Sequence, residues 1–224
     1  MDMFSNANDF LLWVRGDAFT IAISIFIIGV LLRLLEILLL GKKTDYSEAR
    51  NNSAWQGGLT HIVTSSAVHK GIFKRSPLVY IIGYTWHISF FAVLLFFVPH
   101  IEVIKATLGL HWPGLSTPLI DAFTVVAMVS MLAMLWQRLT HPVLKFLSTF
   151  EDYLIWLVTF LPLLSGYVAF HHLVSPYALA LGLHILSVEL LLVVFPFTKL
   201  MHAFAMPLAR WYSGSAMARK GIKL

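Results

Sequence analysis

Residues 177–202, YALALGLHILSVELLLVVFPFTKLMH, form the apolar stretch that decides the fold. A continuous helix over this stretch can cross a bilayer, whose hydrocarbon core needs about 20 residues. His184 and His202 lie eighteen residues apart within it. At about 100° per residue this spacing completes five turns, so both imidazoles project from one face, separated by ~27 Å of rise. One helix is therefore predicted to present a nitrogen ligand near each side of a membrane.

The composition indicates an integral membrane protein. Hydrophobic residues make up 58% of the chain, charged residues 12%, and the mean hydropathy is +0.80, values that a water-soluble domain of this length rarely has. There is no cysteine. Disulfides, protein-ligated iron–sulfur clusters and thioether-attached haem are excluded, whereas non-covalently bound haem remains open. The polar, mixed-charge residues 1–17 do not resemble a cleaved signal peptide.

Five apolar runs are long enough to span a bilayer, so the predicted fold is an all-α membrane bundle. No internal repeat or linker divides the chain, and residues 1–224 are treated as one domain. A short turn around Ser175 and Pro176 makes spans four and five antiparallel neighbours. The predicted spans are 18–40, 77–99 with an extension to 105, 117–138, 153–172 and 177–202, and a long connection covers 41–76.

The basic residues predict the orientation of the bundle. One set of connections contains only Arg15 and Lys105, and by the positive-inside rule this side is outside, together with the N-terminus. The C-terminus is then cytoplasmic, and the net charge of +5 reflects loop bias rather than nucleic-acid binding. Connection 41–76 is long enough for an interfacial helix or a docking surface for a cytoplasmic partner. The cytoplasmic cations are Lys42, Lys43, Arg50, Lys70, Lys74, Arg75, Arg138, Lys145, Arg210, Arg219, Lys220 and Lys223.

Four of the ten histidines lie at depths that allow pairing across the bundle. Polar side chains inside a bilayer are costly and by default mark a functional site. His87 lies within span two and His100 at its outer end, and span two runs antiparallel to span five. His100 is therefore expected to meet His184 near the outside, and His87 to meet His202 near the cytoplasm. These are two bis-histidine pockets of the kind that hold haem b.

The pairing has a geometric requirement. Thirteen residues separate His87 from His100, a rotation of about 220° on an ideal helix, so the two rings diverge unless Pro99 kinks the helix. Span two must also continue as a helix beyond Pro99. In the competing interpretation His100 is a headgroup-level histidine, and His184 and His202 are buried, hydrogen-bonded side chains. Small residues leave room either for a macrocycle or for ordinary helix packing; they are Gly83, Gly166 and Gly182.

Four segments carry a resemblance to a known family. With the five-span plan and the His184/His202 spacing, the chain resembles the dihaem cytochrome b gamma subunit of respiratory nitrate reductases. It most resembles the branch that accompanies hydrogenase and heterodisulfide-reductase-like iron–sulfur proteins. The segments are LLWVRGDAFTIAISIFIIGVLLRLLEILLLG (11–41), PHIEVIKATLGLHWPGL (99–115), RLTHPVLKFLSTFEDYLIWLVTFLPLLSGYVAFHH (138–172) and HILSVELLLVVFPFTKLMHAF (184–204).

The resemblance implies a function beyond the ligands. It implies two b haems, electron exchange with a membrane quinone and an iron–sulfur partner subunit on or near the cytoplasmic face. It also implies the cytoplasmic (inner) membrane of a prokaryote and an electron-transfer subunit rather than a self-sufficient enzyme. It favours a quinone site near the outer haem, where Lys105, His111 and His172 are candidates to bond a quinone carbonyl or accept its proton.

Two other functions are compatible with the same residues. One is a haem-free membrane anchor or quinone-binding subunit whose histidines pack or bind quinone. The other is a proton channel or transporter that uses histidines and Glu189 as a relay, although no repeat or broken mid-membrane helix is evident. Glu189 is either protonated and hydrogen-bonded to another helix or part of a proton path. Arg33 and Glu36 are spaced for an i,i+3 ion pair.

Overall fold

A computed structural model describes residues 6–41, 46–51, 53–67 and 70–222. Lys42, Lys43 and Lys223, which contribute to the predicted orientation, lie outside the described residues. The described part of the chain is helical and contains no strand, which confirms the all-α class. The helices are α1 (Ala7–Leu39), α2 (Ala54–Thr64), α3 (Lys70–Arg75), α4 (Pro77–Phe96), α5 (Val98–Leu108), α6 (Thr117–Thr140), α7 (Pro142–Leu147), α8 (Phe150–Phe170), α9 (Tyr177–Val194) and α10 (His202–Arg219).

Five helical segments are long and apolar enough to cross a membrane, which confirms the predicted number. The first helix begins at Ala7 and not near residue 18, because the Asn6 side chain accepts hydrogen bonds from the backbone N–H groups of Asn8 and Asp9, at 2.9 and 3.0 Å. A π-helical turn, Val14–Ala18, interrupts α1. The five segments are Ala7–Leu39, Pro77–Phe96, Thr117–Thr140, Phe150–Phe170 and Tyr177–Phe197.

The prediction of one continuous helix over 177–202 is wrong. Helix α9 ends at Val194, two 3₁₀ turns follow at Phe195–Phe197 and Lys199–Met201, and Thr198 between them is extended. Pro196 has no N–H to continue the helical hydrogen bonds. The interruption breaks the helical register, so eighteen residues no longer put His184 and His202 on one helix face.

Span two was predicted as one helix over 77–99 with an extension to 105, and the structure interrupts it. Helix α4 ends at Phe96, Phe97 is extended with φ −76° and ψ 123°, and α5 then runs to Leu108. The chain is thus helical beyond residue 105, with a break two residues before Pro99. The kink that the pairing of His100 requires is present.

The chain forms two compact units, the first from residues 1–22 and 77–191 and the second from 23–76 and 192–224. The first unit has a buried core of Ala127, Met131 and Leu163, against which aromatic side chains of α4 and α8 pack. The indole N–H of Trp156 donates to the carbonyl of Met131 at 2.7 Å and links α8 to α6.

In the second unit, helix α1 packs against the segment that follows α9. A Cβ at Gly29 would lie 2.6 Å from the ring of Pro196, so only glycine allows this approach. Nε of Arg33 donates to the carbonyl of Pro196 at 3.2 Å, and Nη1 forms the predicted ion pair with Glu36 at 2.8 Å. Phe26 contacts the rings of Phe195 and Phe204.

Candidate functional site

His100 and His184 face each other within the first unit. Their ring centres are 6.3 Å apart and their ring planes are 17° from parallel. When two imidazoles bind the same metal ion from opposite sides, at a nitrogen–metal distance of about 2 Å, their ring centres are roughly 6 Å apart. The structure therefore brings together the pair predicted near the outside.

The break before α5 positions His100. Because Pro99 has no N–H, the carbonyl of Leu95 lacks its helical donor, and the indole Nε1–H of Trp112 donates to it at 2.7 Å. The carbonyl of Phe96 accepts from the backbone N–H of Leu115 at 2.9 Å. The connection after α5 thus folds back onto the break and satisfies both carbonyls.

Gly114 allows the connection after α5 to approach the break so closely. A Cβ at Gly114 would lie 2.6 Å from a methyl group of Val98 and 3.1 Å from the carbonyl oxygen of Phe96. Any larger residue would push the connection away from the break. The start of α5 is also held from α8, since the ring of Phe97 packs edge-on against Phe170 with centres 4.9 Å apart.

The hydrogen bond of His100 determines which ring nitrogen can bind a metal. Nδ1 lies 3.2 Å from the carbonyl oxygen of Val93, and since a carbonyl can only accept, Nδ1 carries the hydrogen. The lone pair of the neutral ring is then on Nε2.

His184 has two partners on α8, the hydroxyl of Ser165 and the backbone of Pro162. Nδ1 lies 3.3 Å from Oγ of Ser165, whose own hydrogen is directed to the carbonyl of Leu161 at 2.7 Å, so Nδ1 is the donor. Oγ of Ser187 lies 3.0 Å from Oγ of Ser165 and donates to the carbonyl of His184 at 2.6 Å. Helices α8 and α9 are therefore neighbours, as predicted, and their hydroxyls orient this ring.

Gly83, Gly166 and Gly182 differ in their surroundings. A Cβ at Gly166 would lie 3.0 Å from Cε1 and 3.2 Å from Nδ1 of His184, so this glycine makes room for the imidazole. At Gly182 a Cβ would meet the ring of Phe10 at 2.6 Å, which is helix packing. A Cβ at Gly83 would meet nothing within 4 Å among the described residues.

His87 and His202 have the same hydrogen-bond arrangement on Nδ1. In each, Nδ1 donates to a backbone carbonyl at 2.7 Å, that of Gly83 for His87 and that of Lys199 for His202. Nε2 therefore carries the lone pair in both rings. His87 belongs to the first unit and His202 to the second, and their pairing stays a prediction.

His171 uses the opposite nitrogen. Its Nε2 lies 3.0 Å from Oδ1 of Asp121, and a carboxylate accepts, so this ring has its hydrogen on Nε2. Nε2 of His111 lies 3.9 Å from Oε1 of Glu102, beyond hydrogen-bond distance. The nitrogen engaged by the protein thus separates the four predicted ligands from His171.

The quinone candidates fall into two places. Lys105 and His111 share Glu102, whose oxygens lie 3.6 Å from Nζ and 3.9 Å from Nε2. Next to His111 a shallow apolar pocket opens, lined by Leu95, Phe96, Trp112 and Pro113. His172 has a left-handed backbone with φ 52°, and its ring instead packs on Tyr177 at 4.6 Å.

Glu189 is buried, with 3% of its surface exposed. Its Oε1 has no hydrogen-bond partner among the residues that the structure describes. The predicted hydrogen bond to another helix is therefore absent at this oxygen. A buried acceptor without a donor lowers the stability of the fold, so favourable packing around Glu189 has to offset this cost.

The serines that orient His184 are absent from the sequence prediction. Ser165 and Ser187 lie on helices where a hydroxyl ordinarily bonds the preceding turn, as both of them do. No spacing rule relates Ser165 to a histidine nineteen residues later on a different helix. The only sequence feature that marks Ser165 is its position directly before Gly166.

No family model matches the chain, and no solved structure matches it. A curated protein of Nitratidesulfovibrio vulgaris, described only as "Protein", is 29% identical over 148 residues. The match covers 66% of this chain, and the chain spans 65% of that protein's length. This similarity identifies no family and no activity.

Proposed function

We propose that the chain is a membrane-anchoring dihaem cytochrome b subunit that transfers electrons between a quinone pool and an iron–sulfur partner subunit. One haem would be held by His100 and His184, and the other by His87 and His202. The N-terminus would lie outside and the C-terminus in the cytoplasm of a prokaryotic cell. The quinone, the partner and the compartment rest on the resemblance to the nitrate reductase gamma subunit family.

One observation carries the proposal, the facing imidazoles of His100 and His184. Their ring centres are 6.3 Å apart, and each ring donates its Nδ1 hydrogen to the protein. Metal-binding histidines characteristically donate the second ring nitrogen to a carbonyl or hydroxyl, which sets the tautomer and raises ligand basicity.

The donor set fits a b-type haem. Two neutral imidazoles supply both axial ligands, and the absence of cysteine is compatible with a haem held without covalent attachment. Gly166 leaves the space beside His184 that any side chain would fill. When bound, the iron of such a haem carries one electron and thereby supplies redox chemistry that no side chain of this chain has. The residues themselves orient the imidazoles and exclude water from them.

A reduced-minus-oxidised spectrum of the purified chain tests the proposal. We expect a b-type α band and two haems per chain by extraction. His100→Ala and His184→Ala should each remove the same haem, whereas His87→Ala and His202→Ala should each remove the other. His171→Ala is the matched control, because its Nε2 is bonded to Asp121, and both haems should remain.

Different outcomes reject different parts of the proposal. A chain without an α band would be a haem-free anchor. Loss of different haems in His100→Ala and His184→Ala would reject their pairing even if two haems are present. Haem content unchanged in all four variants would reject the ligand assignment.

A further inference from the structure

We propose that helices α2, α3 and α10 form a binding surface for anionic phospholipid headgroups. Residues 51–76 and 192–224, which contain α2, α3 and α10, include no aspartate or glutamate. We call these two segments the basic layer. This inference concerns lipid and does not depend on haem binding. The cations of the layer are Lys70, Lys74, Arg75, Lys199, Arg210, Arg219, Lys220 and Lys223.

Close packing between α2 and α10 determines which face of α2 is covered. A Cβ at Gly57 would overlap that of Ala218, and a Cβ at Gly214 would lie 2.6 Å from the carbonyl oxygen of Gly57. A Cβ at Gly58 would lie 2.5 Å from Nε1 of Trp211. Small residues thus let the two backbones touch, as in helix pairs of membranes. Nη1 of Arg210 adds a bond of 2.9 Å to Oγ of Ser66 beyond the end of α2.

An apolar stripe lies on α2 away from this contact. Trp55, Leu59 and Val63 recur every fourth residue and are 66, 47 and 73% exposed. Residues four apart share one helix face. An exposed apolar stripe on a helix within a cationic segment is the pattern of helices that lie in the membrane interface, with apolar side chains at the acyl boundary and cations at the phosphates.

Chain connectivity keeps α10 near the bilayer. The fifth candidate span ends at Phe197, and α10 begins at His202. Five residue steps reach at most about 17 Å even when fully extended. A cationic layer this close to a membrane lies within the attraction of anionic headgroups.

The first test measures lipid binding to the full chain in neutral detergent. Short-chain phosphatidylglycerol should bind more tightly than short-chain phosphatidylcholine. Lys74→Gln together with Arg75→Gln should weaken the phosphatidylglycerol affinity by about fivefold for each charge removed. The matched control removes two cations outside the basic layer, Arg15→Gln with Lys145→Gln, and should leave the affinity unchanged.

Two further measurements keep the proposal testable if the variants do not fold. High salt should weaken phosphatidylglycerol binding to the unaltered chain and leave phosphatidylcholine binding unchanged. Because the chain has no cysteine, Val63→Cys provides one site for a fluorophore, which should be quenched by brominated acyl chains after reconstitution.

Three results would overturn the proposal. Equal affinity for the two lipids would remove the electrostatic preference. An affinity that the Lys74 and Arg75 changes lower no more than the control pair would move the preference to another surface. A label at residue 63 that brominated lipid does not quench would place the stripe in water and assign the surface to a soluble protein instead.

Discussion

At the residue level, the proposed ligands differ in whether the hydrogen-bond partner of the imidazole lies nearby in the chain or on another helix. His87 and His202 donate Nδ1 to carbonyls four and three residues earlier, an arrangement that local helical geometry allows. His184 bonds to a hydroxyl and to the backbone of Pro162, both on another helix. The sequence identifies the histidines, whereas the partners of His184 depend on how α8 and α9 pack.

Replacing Ser165 tests whether its hydroxyl acts on the proposed haem ligand. In Ser165→Ala the ring of His184 loses its hydroxyl partner and keeps only the hydrogen bond to the backbone of Pro162. The imidazole would then be a weaker donor, and a ferric haem would be less stabilised. A hydrogen bond with a net value of about 1 kcal/mol corresponds to an upward shift of roughly 40 mV in one midpoint potential. Redox titration of the two haems measures this shift.

A hydroxyl on the same helix serves as the control for Ser165. Thr159 is buried and its hydroxyl donates to the carbonyl of Ile155, four residues earlier on α8. Thr159→Val should leave both midpoint potentials in place. Equal potentials in Ser165→Ala and the unaltered chain would show that the hydroxyl does not act on the ligand, and Ser165→Thr should restore the original value.

At the level of helices, two breaks separate the observed structure from the ideal helices of the sequence prediction. Both are next to prolines, which sequence identifies as places where a helix loses a hydrogen bond. The extent of each break depends on distant partners, Trp112 for the first and Gly29 for the second. Sequence therefore indicates where a helix is weak but not whether it continues.

Trp112→Phe tests the first break. The phenyl ring retains apolar contact but leaves the Leu95 carbonyl without its donor, and we expect a loss of ~1–2 kcal/mol in unfolding free energy. Thermal unfolding of the purified chain measures it. Trp136→Phe, at a side chain that is 70% exposed, should have no comparable effect. Equal stability of the two variants would show that the indole bond does not hold the connection.

Gly57→Val tests the contact between α2 and α10. The added side chain must overlap Ala218, so the helices have to separate, with an expected cost of about 1–3 kcal/mol. The readout is a lower unfolding midpoint and faster proteolysis of residues 46–67. Gly16→Ala is the control, because a Cβ there meets nothing within 4 Å among the described residues. Similar proteolysis of both variants would contradict the packing role.

For the whole molecule, the five spans follow from local hydropathy, but the orientation remains a prediction from loop charges. Two exposed positions test it in a chain without cysteine, Tyr46 in connection 41–76 and Leu110 after α5, which are 92 and 57% exposed. With the N-terminus outside, a membrane-impermeant maleimide should label Leu110→Cys on intact cells and not Tyr46→Cys. Labelling of Tyr46→Cys and not of Leu110→Cys would show that the bundle has the opposite orientation in the membrane.

The sequence alone was sufficient for the all-α class and the number of spans, because hydrophobic length is a property of short segments. It also singled out four histidines as candidate ligands, because polar groups in a bilayer are costly, and that assignment stays a prediction. It was not sufficient for the interruption after Val194, the bend before His100 or the 6.3 Å approach of His100 to His184. These depend on contacts between residues far apart in the chain, which replace the hydrogen bonds that prolines remove and turn each imidazole.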